Sequence, residues 1–250
     1  MKEKILLLEL WQDRLIGVTE LVEDYGLPYK IVRPYKQEPI EYTKYSGIII
    51  SGGTPSILEI DKYPFLNEVV SFVKYAVNQS IPILGICLGN QILAYAIGGK
   101  VSRQQKPEIG FHNIYHNGTD LLKGIPNPFL AFEYHFDEVV ELPKNTTILA
   151  TGEGSKIQAF RVKDKPFWGV QFHPEINRNL GIHILSDRKE VIEGIGLNAD
   201  EMIDLGKKKY FEEYSSMVLK NYLNFIKETT DEKSLWKKFA RNFKEKVKDS

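Results

Sequence analysis

The only cysteine of the chain, Cys87, stands in a segment whose residue types suit nucleophilic chemistry. Gly85 and Gly89 flank it, and the apolar run at 81–86 that precedes it is typical of a buried parallel strand. From Leu88 onward apolar residues recur at helical spacing, which predicts a helix. Cys87 therefore falls at a strand-to-helix turn, where glycines remove side chains that would collide with the neighbouring chain.

A cysteine at such a turn would have an activated thiol. The predicted helix directs its unpaired N–H groups and its positive end toward the sulfur, which lowers the thiol pKa from about 8.5 toward neutrality. The thiolate, which is the nucleophile, then becomes populated. The alternative is a buried cysteine that packs as a small apolar side chain. The flanking Gly85 and Gly89 favour the nucleophile.

A cysteine nucleophile needs a base, and the segment His173-Pro174-Glu175 offers one. It follows a predicted strand at 166–172, and Pro174 biases His173 toward an extended conformation. In extended chain residues i and i+2 point the same way, so we expect the Glu175 carboxylate to orient the His173 imidazole. Alone, the segment would equally suit a strand-end histidine followed by an acid at a helix start. Together with Cys87 it predicts a Cys–His–Glu triad.

Acyl transfer also needs donors for a developing oxyanion, and backbone N–H groups serve best. Leu88 at the helix start offers one, and the bare loop after the third predicted strand offers a second from Gly53, with Gly52 as the alternative. Gln91 lies one helical turn past Cys87 and on the same face, so we expect it to bind a polar substrate.

Two further polar residues, His135 and Asp137, share one face of a predicted strand and are candidates to line the substrate pocket, with surface positions as the alternative. His112 and His116 lie four residues apart on a strand, roughly 13 Å at strand rise, which is poor geometry for a metal. The sequence contains no Cys/His cluster typical of zinc. We therefore expect neither a metal nor a cofactor.

The first half of the chain alternates strands with helices, as in α/β folds with a mostly parallel open sheet flanked by helices. In such sheets ligands bind at the carboxyl ends of strands, where Gly52, Gly53 and Cys87 fall. The strands are predicted at 5–10, 29–32, 45–51 and 81–86, and the helices at 14–25, 64–79 and 88–97.

The second half begins with short alternating runs separated by turn residues, which predicts hairpins. Helices then follow from about 181, giving a C-terminal helical extension. The segment 229–250 predicts a separate basic amphipathic tail helix, which we expect to pack on its own domain. The predicted strands are 100–103, 109–115, 129–134, 138–142, 146–151, 157–162 and 166–172, and the helices are 182–193, 199–227 (one helix or two) and 234–247.

Composition restricts the class of protein. Lys plus Arg and Asp plus Glu each number 33 among 250 residues, so no net charge favours a nucleic-acid partner. A single cysteine excludes an internal disulfide and fits a reducing compartment. The sequence has no signal-peptide core and no apolar run of membrane-spanning length. We expect a soluble, cytoplasmic protein that acts on a small molecule.

With these motifs identified, the sequence resembles the class I (triad) glutamine amidotransferases, whose pattern Gly-X-Cys-X-Gly-X-Gln stands here at 85–91. The resemblance extends from about Ile5 to Phe225, which suggests a family domain at 1–228. It implies a flavodoxin-like sheet and attack by Cys87 on the side-chain amide of glutamine, giving a γ-glutamyl thioester and ammonia. Stand-alone relatives similar to the glutaminase domain of GMP synthase share further segments: Ser51–Gly53, Lys62–Phe65, Glu108–Gly110, His135–Asp137, Gln158–Phe160 and Gly169–Phe172.

Two departures from the family pattern bear on function. Asn90 stands where many relatives have histidine, outside the triad. No segment resembles an ATP-pyrophosphatase domain or a P-loop, so the chain is not a complete synthase, and we expect its partner to be an ammonia-accepting synthase subunit. The alternatives are a γ-glutamyl peptidase, acting through the same triad on γ-glutamyl peptides or glutathione conjugates, and a non-catalytic binding or regulatory protein. The sequence leaves the oligomeric state open.

Overall fold

In the computed structural model the described residues are 4–248 for the backbone and 4–230 for side chains. Nine strands and seven α-helices are assigned within them. The strands are β1 (Ile5–Leu8), β2 (Tyr29–Val32), β3 (Gly47–Ile50), β4 (Ile83–Ile86), β5 (Lys100–His116), β6 (Phe129–Glu141), β7 (Thr146–Thr151), β8 (Ala159–Val162) and β9 (Phe167–Val170). The helices are α1 (Ile16–Asp24), α2 (Phe65–Asn78), α3 (Leu88–Ala96), α4 (Arg178–Asp187), α5 (Lys189–Gly194), α6 (Ala199–Lys209) and α7 (Glu212–Lys248).

The strands form one mixed sheet in the order β2-β1-β3-β4-β9-β8-β7-β5-β6. From β2 to β9 all neighbours are parallel, and from β9 to β6 all are antiparallel. The parallel part has the flavodoxin-like order, with β9 in the fifth position. The predicted α/β fold is confirmed, and the hairpin-rich second half supplies the antiparallel strands.

Both faces of the parallel strands are buried. Along β1 the residues alternate between two cores: Ile5 and Leu7 pack with α1 and α7, while Leu6 and Leu8 pack with α2 and α3. All four side chains are fully buried, as a continuous apolar strand between two helical layers requires. A third core lies between β5, β6 and helices α4 to α6.

Several predicted boundaries are wrong. Strand β5 is continuous where two strands are predicted, and so is β6. The polar segment between Arg103 and Glu108 suggests a loop, but β5 continues through it, with an irregularity in its pairing register against β6. The helix predicted at 182–193 is two helices, of which the first begins at Arg178 after its N-cap residue Asn177.

The C-terminal helix α7 runs past position 229 without the predicted break. The apolar and basic side chains of the predicted tail from residue 231 on lie outside the described residues, so its packing stays a prediction. Across residues 4–248, none of the helices combines the length and the apolar character that crossing a membrane requires.

Candidate active site

Cys87 occupies a strained turn between β4 and α3. Its backbone has φ 52° and ψ −106°, a region that residues with a Cβ rarely adopt. The Cys87 N–H donates to the Val170 carbonyl at 2.8 Å, which fixes the turn to the end of β9. The predicted strand-to-helix position of the cysteine is confirmed.

The flanking glycines permit close backbone packing under this turn. A Cβ on Gly85 would lie 2.4 Å from the carbonyl oxygen of Gly89, and a Cβ on Gly89 would lie 2.3 Å from that of Ile50. Both distances are far inside van der Waals contact, so only glycine fits either position. These contacts bring α3 against the ends of β3 and β4.

The segment after β9 places His173 and Glu175 side by side. The His173 N–H donates to the Phe132 carbonyl at 2.9 Å, which ties this segment to β6. Nδ1 of His173 lies 2.7 Å from Oε1 of Glu175, and both side chains are buried. Because the carboxylate accepts the Nδ1 proton, Nε2 remains for other chemistry.

Cys87 and His173 meet beside Gly52. A Cβ at Gly52 would lie 2.9 Å from Cε1 of His173 and 3.4 Å from Cβ of Cys87, so the loop after β3 closes over both residues. Burial raises the pKa of the Cys87 thiol, but the neighbouring His173 imidazolium outweighs burial and leaves the pKa below its ordinary value. Burial lowers the pKa of His173, and the Glu175 carboxylate and the Cys87 thiolate raise it further than burial lowers it. The pair is therefore suited to exist as thiolate and imidazolium.

The two backbone donors predicted for an oxyanion adjoin each other. A Cβ at Gly53 would lie 3.0 Å from Cδ2 of Leu88, and both residues line the cavity that contains Cys87. Leu88 is the first residue of α3, so its N–H has no intrahelical acceptor. Within residues 4–248, neither N–H donates a hydrogen bond to another group of the protein.

A cavity of about 200 Å³ opens beside Cys87 and His173, at the carboxyl edge of the parallel strands. All three residues predicted to bind substrate reach it. The lining residues are Arg14, Gly53, Thr54, Pro55, Ser56, Glu59, Cys87, Leu88, Gln91, Arg103, Tyr134, His135, Phe136, Asp137 and His173.

Gln91 and His135 both contact the backbone carbonyl of Asp137. The Asp137 carbonyl accepts a hydrogen bond from Nε2 of Gln91 at 2.9 Å and lies 3.0 Å from Nδ1 of His135. The Asp137 carboxylate takes no part in these two contacts, and its Oδ1 lies 3.0 Å from Nε of Arg103. These contacts fix the cavity wall between α3 and β6.

Sequence reasoning missed the charged residues Arg14, Glu59 and Arg103 in this cavity. Arg14 could have been predicted from the sequence. It lies in the loop after the first parallel strand, and that loop starts at the carboxyl edge of the sheet. Glu59 lies in the segment after Gly52 and Gly53, the loop already assigned to the site. Arg103 gave no comparable signal, because only the pairing of β5 with β6 brings it opposite Asp137.

Glu108, Glu133 and His135 form a buried cluster. Their potential metal-ligating atoms lie within 4.8 Å of one another, close enough to share a cation. Nε2 of His135 is 2.7 Å from Oε2 of Glu133, a hydrogen-bond distance, which places a proton between these two atoms. His112 and His116 bind separate carbonyls, those of Ile109 and Pro126, each at 2.9 Å.

Comparison with known proteins identifies the family. The model of the class-I glutamine amidotransferases matches residues 17–189. The chain is 40% identical over 153 residues to a subunit of the glutamine-hydrolysing GMP synthase of Sulfurisphaera tokodaii, covering 60% of this chain and 78% of that protein. It is 39% identical over 164 residues to the same subunit of Methanocaldococcus jannaschii, covering 65% and 78% respectively.

Solved structures show the same fold. A glutamine amidotransferase from Thermotoga maritima superposes with a TM-score of 0.78 at 23% identity, covering 90% of this chain and 98% of that one. A protein from Thermoplasma acidophilum that is named for a GMP synthase subunit gives a TM-score of 0.68 at 23% identity, covering 94% and 98%. Because the family model spans well over half of the chain, this protein is an enzyme of the class-I glutamine amidotransferase family.

Proposed function

We propose that this protein hydrolyses the side-chain amide of glutamine to glutamate and ammonia through a triad of Cys87, His173 and Glu175. The observation that carries the proposal is the Cys87 turn, at φ 52°, beside an imidazole whose Nδ1 is held 2.7 Å from a buried carboxylate. Nucleophile, base and orienting acid are the parts that covalent acyl transfer requires.

The first half of the reaction forms a thioester. The Cys87 thiolate attacks the amide carbon, and the oxyanion that develops is stabilised by the N–H groups of Leu88 and Gly53, with Gly52 as the alternative to Gly53. His173 then gives its proton to the departing nitrogen, so that ammonia leaves and the γ-glutamyl group stays on sulfur.

The second half releases glutamate. A water molecule attacks the thioester while His173 accepts its proton, and the thiolate departs. Glu175 holds the same ring nitrogen protonated throughout, so that the imidazole faces the reacting atoms in the same orientation in both halves. The sum is glutamine plus water giving glutamate plus ammonia.

The charges of the cavity suit a free amino acid. Glutamine carries an α-carboxylate and an α-ammonium group, and the cavity is lined by the cations Arg14 and Arg103 and the acid Glu59. Gln91 lines it one helical turn from Cys87 and supplies a polar contact for the substrate. A cavity of about 200 Å³ accommodates a small polar molecule.

The names of the relatives support a proposal for the destination of the ammonia. Those at 39–40% identity are named as one subunit of a glutamine-hydrolysing GMP synthase. We propose by analogy that this protein delivers ammonia to a separate synthase subunit. The expected check is a glutaminase rate that rises when a GMP synthase subunit lacking its own glutaminase is added with its nucleotide substrates.

The hydrolytic proposal is tested with purified protein and three substrate types: glutamine, glutathione and γ-glutamyl dipeptides. Glutamate and ammonia formed from glutamine by wild type, and lost in Cys87→Ala, support it. Amine release from the peptides alone would replace it with a γ-glutamyl peptidase. If neither wild type nor Cys87→Ala forms product from any substrate, the remaining hypothesis is a non-catalytic binding or regulatory protein.

A further inference from the structure

Three segments that the proposed reaction does not use converge behind the cavity wall. Strands β5 and β6 pair so that Glu108 stands opposite His135. Oε2 of Glu108 accepts hydrogen bonds from Oγ of Ser155 at 2.6 Å and from Nε2 of Gln158 at 3.3 Å. Glu133, on the same strand as His135, is fully buried. The cluster thus places two carboxyl groups around one imidazole.

Both ring nitrogens of His135 face oxygen. Nδ1 lies 3.0 Å from the Asp137 carbonyl, which accepts only, so Nδ1 must carry a proton. Nε2 lies 2.7 Å from Oε2 of Glu133 and 3.5 Å from Oε2 of Glu108. A neutral imidazole has one N–H and can donate toward only one of these oxygens, whereas an imidazolium donates from both ring nitrogens.

The proton between His135 and Glu133 could sit on either partner. If it sat on Glu133, the ring would be neutral and Glu108 would be a buried carboxylate beside an uncharged group. With the proton on the ring, one cation is shared by two carboxylates, and their attraction favours the charged ring against the cost of burial. Burial lowers the pKa of His135, but the Glu133 carboxylate, together with the Cys87 thiolate and the Glu108 carboxylate, more than offsets burial and raises that pKa to about 9.

His135 lines the same cavity as Cys87. Its charge adds to that of His173 in lowering the pKa of the thiol, against burial and against the Glu175 carboxylate. The Asp137 carbonyl that it binds also accepts from Gln91, so the same ring fixes the wall beside the substrate. The Asp137 carboxylate is itself paired with Arg103.

We propose that His135 is a positioning residue that remains protonated through turnover, stabilising the Cys87 thiolate from behind the cavity wall while its Nδ1–H holds the Asp137 carbonyl in place. The inference rests on the proposed function only in taking Cys87 as the nucleophile. It assigns His135 a role as a buried charge rather than as a substrate contact.

The first test measures the thiolate directly, without substrate. Iodoacetamide alkylation of Cys87 is followed from pH 5 to 10 in wild type, in His135→Gln and in the control His112→Gln. Like His135, His112 binds a backbone carbonyl on its own strand, but it lies outside this cavity. We expect the profile of His135→Gln to move upward by about one pH unit, which lowers alkylation about tenfold on its acid limb. His112→Gln should follow wild type.

A purely structural role would reduce reactivity equally at every pH, and a His135→Gln profile with the wild-type midpoint would overturn the proposal. Because no glutamine is used, a shifted midpoint in a protein without glutaminase activity would refute the proposed function and leave this inference standing. Absence of activity with an unshifted midpoint would refute both.

The second test reads the protonation state in wild type and needs a variant only to assign the signals, with either of two substitutions sufficient. Two-dimensional ¹H–¹⁵N NMR of the histidine side chains, assigned by the loss of one ring system in His135→Asn or His135→Gln, reports which nitrogens are protonated. We expect both nitrogens of His135 to be protonated from pH 6 to 8. A neutral ring with a single N–H in that range would place the proton on Glu133 and overturn the proposal.

Discussion

Nδ1 of His173 lies 2.7 Å from Oε1 of Glu175, and only Pro174 separates the two residues in the chain. The pairing is therefore local and follows from the extended backbone that the proline favours. The Cys87 turn, by contrast, reaches His173 only through the pairing of β4 with β9. The proposed base and its acid are thus fixed by one short segment, while the proposed nucleophile is positioned by the sheet.

We predict unequal losses when the base and its acid are replaced. His173→Ala removes proton transfer and should lower kcat for glutamine about 10²-fold to 10⁴-fold. Glu175→Gln should cost less, because the Phe132 carbonyl and the Gly52 backbone still hold the histidine segment and ring in place. Steady-state kinetics at one pH, with melting temperatures as the folding control, compare the two. Equal losses would contradict the division of roles.

The directions of the pKa shifts predict the pH dependence of Cys87. Its pKa is lowered and that of His173 is raised, so the ion pair persists between the two values. Activity should fall below the thiol pKa, where sulfur is protonated, and above the His173 pKa, where no proton remains for the leaving ammonia. A flat region around neutral pH in kcat/KM is the expected observation.

The variant His173→Gln supplies the control for this profile. Without the His173 imidazolium, burial and the Glu175 carboxylate raise the pKa of Cys87, and only the weaker effect of His135 still lowers it. Iodoacetamide alkylation at neutral pH should then fall sharply and recover only at high pH. If the variant and wild type alkylate with the same midpoint, the ion pair is not what activates the thiol.

Contacts between residues close in the chain could be predicted from the sequence, whereas contacts that depend on strand pairing could not. Cys87, His173 and Glu175 were predictable because glycine spacing and a proline mark local backbone geometry. The cluster of Glu108, Glu133 and His135 was not, because Glu108 joins the two β6 residues only through the register of β5 against β6. Pattern reading does not supply that register when polar residues interrupt a strand, as they do before Glu108.

The glycines of the Cys87 turn give a stability prediction. Gly89→Ala would place a Cβ 2.3 Å from the Ile50 carbonyl, so the backbone of β3 or α3 must move. We expect a loss of about 1–3 kcal/mol in the free energy of unfolding, measured by urea denaturation. Alkylation of Cys87 should weaken as well, since α3 carries its first N–H groups away from the sulfur.

The matched control is Gly194→Ala at the end of α5, where nothing lies within 4 Å of the added Cβ. Its unfolding free energy should stay within about 0.5 kcal/mol of wild type. A Gly89→Ala protein as stable as the control would show that the approach of α3 to β3 is looser than the distances imply.

The Tyr222 hydroxyl links α7 to the sheet, and replacing it tests how much this link contributes to the free energy of unfolding. Its buried hydroxyl accepts from the Ile48 N–H at 3.1 Å and lies 2.9 Å from the carbonyls of Ile48 and Pro82, at the amino ends of β3 and β4. Tyr222→Phe removes these bonds, whereas the Ile48 N–H and the Pro82 carbonyl stay bonded to each other at 2.8 Å, so we expect a loss of about 0.5–1.5 kcal/mol by urea denaturation. Tyr95→Phe, at a ring 46% exposed on α3, should be neutral. If both variants unfold at the same urea concentration as wild type, the Tyr222 hydroxyl contributes no net stability to the contact between α7 and the sheet.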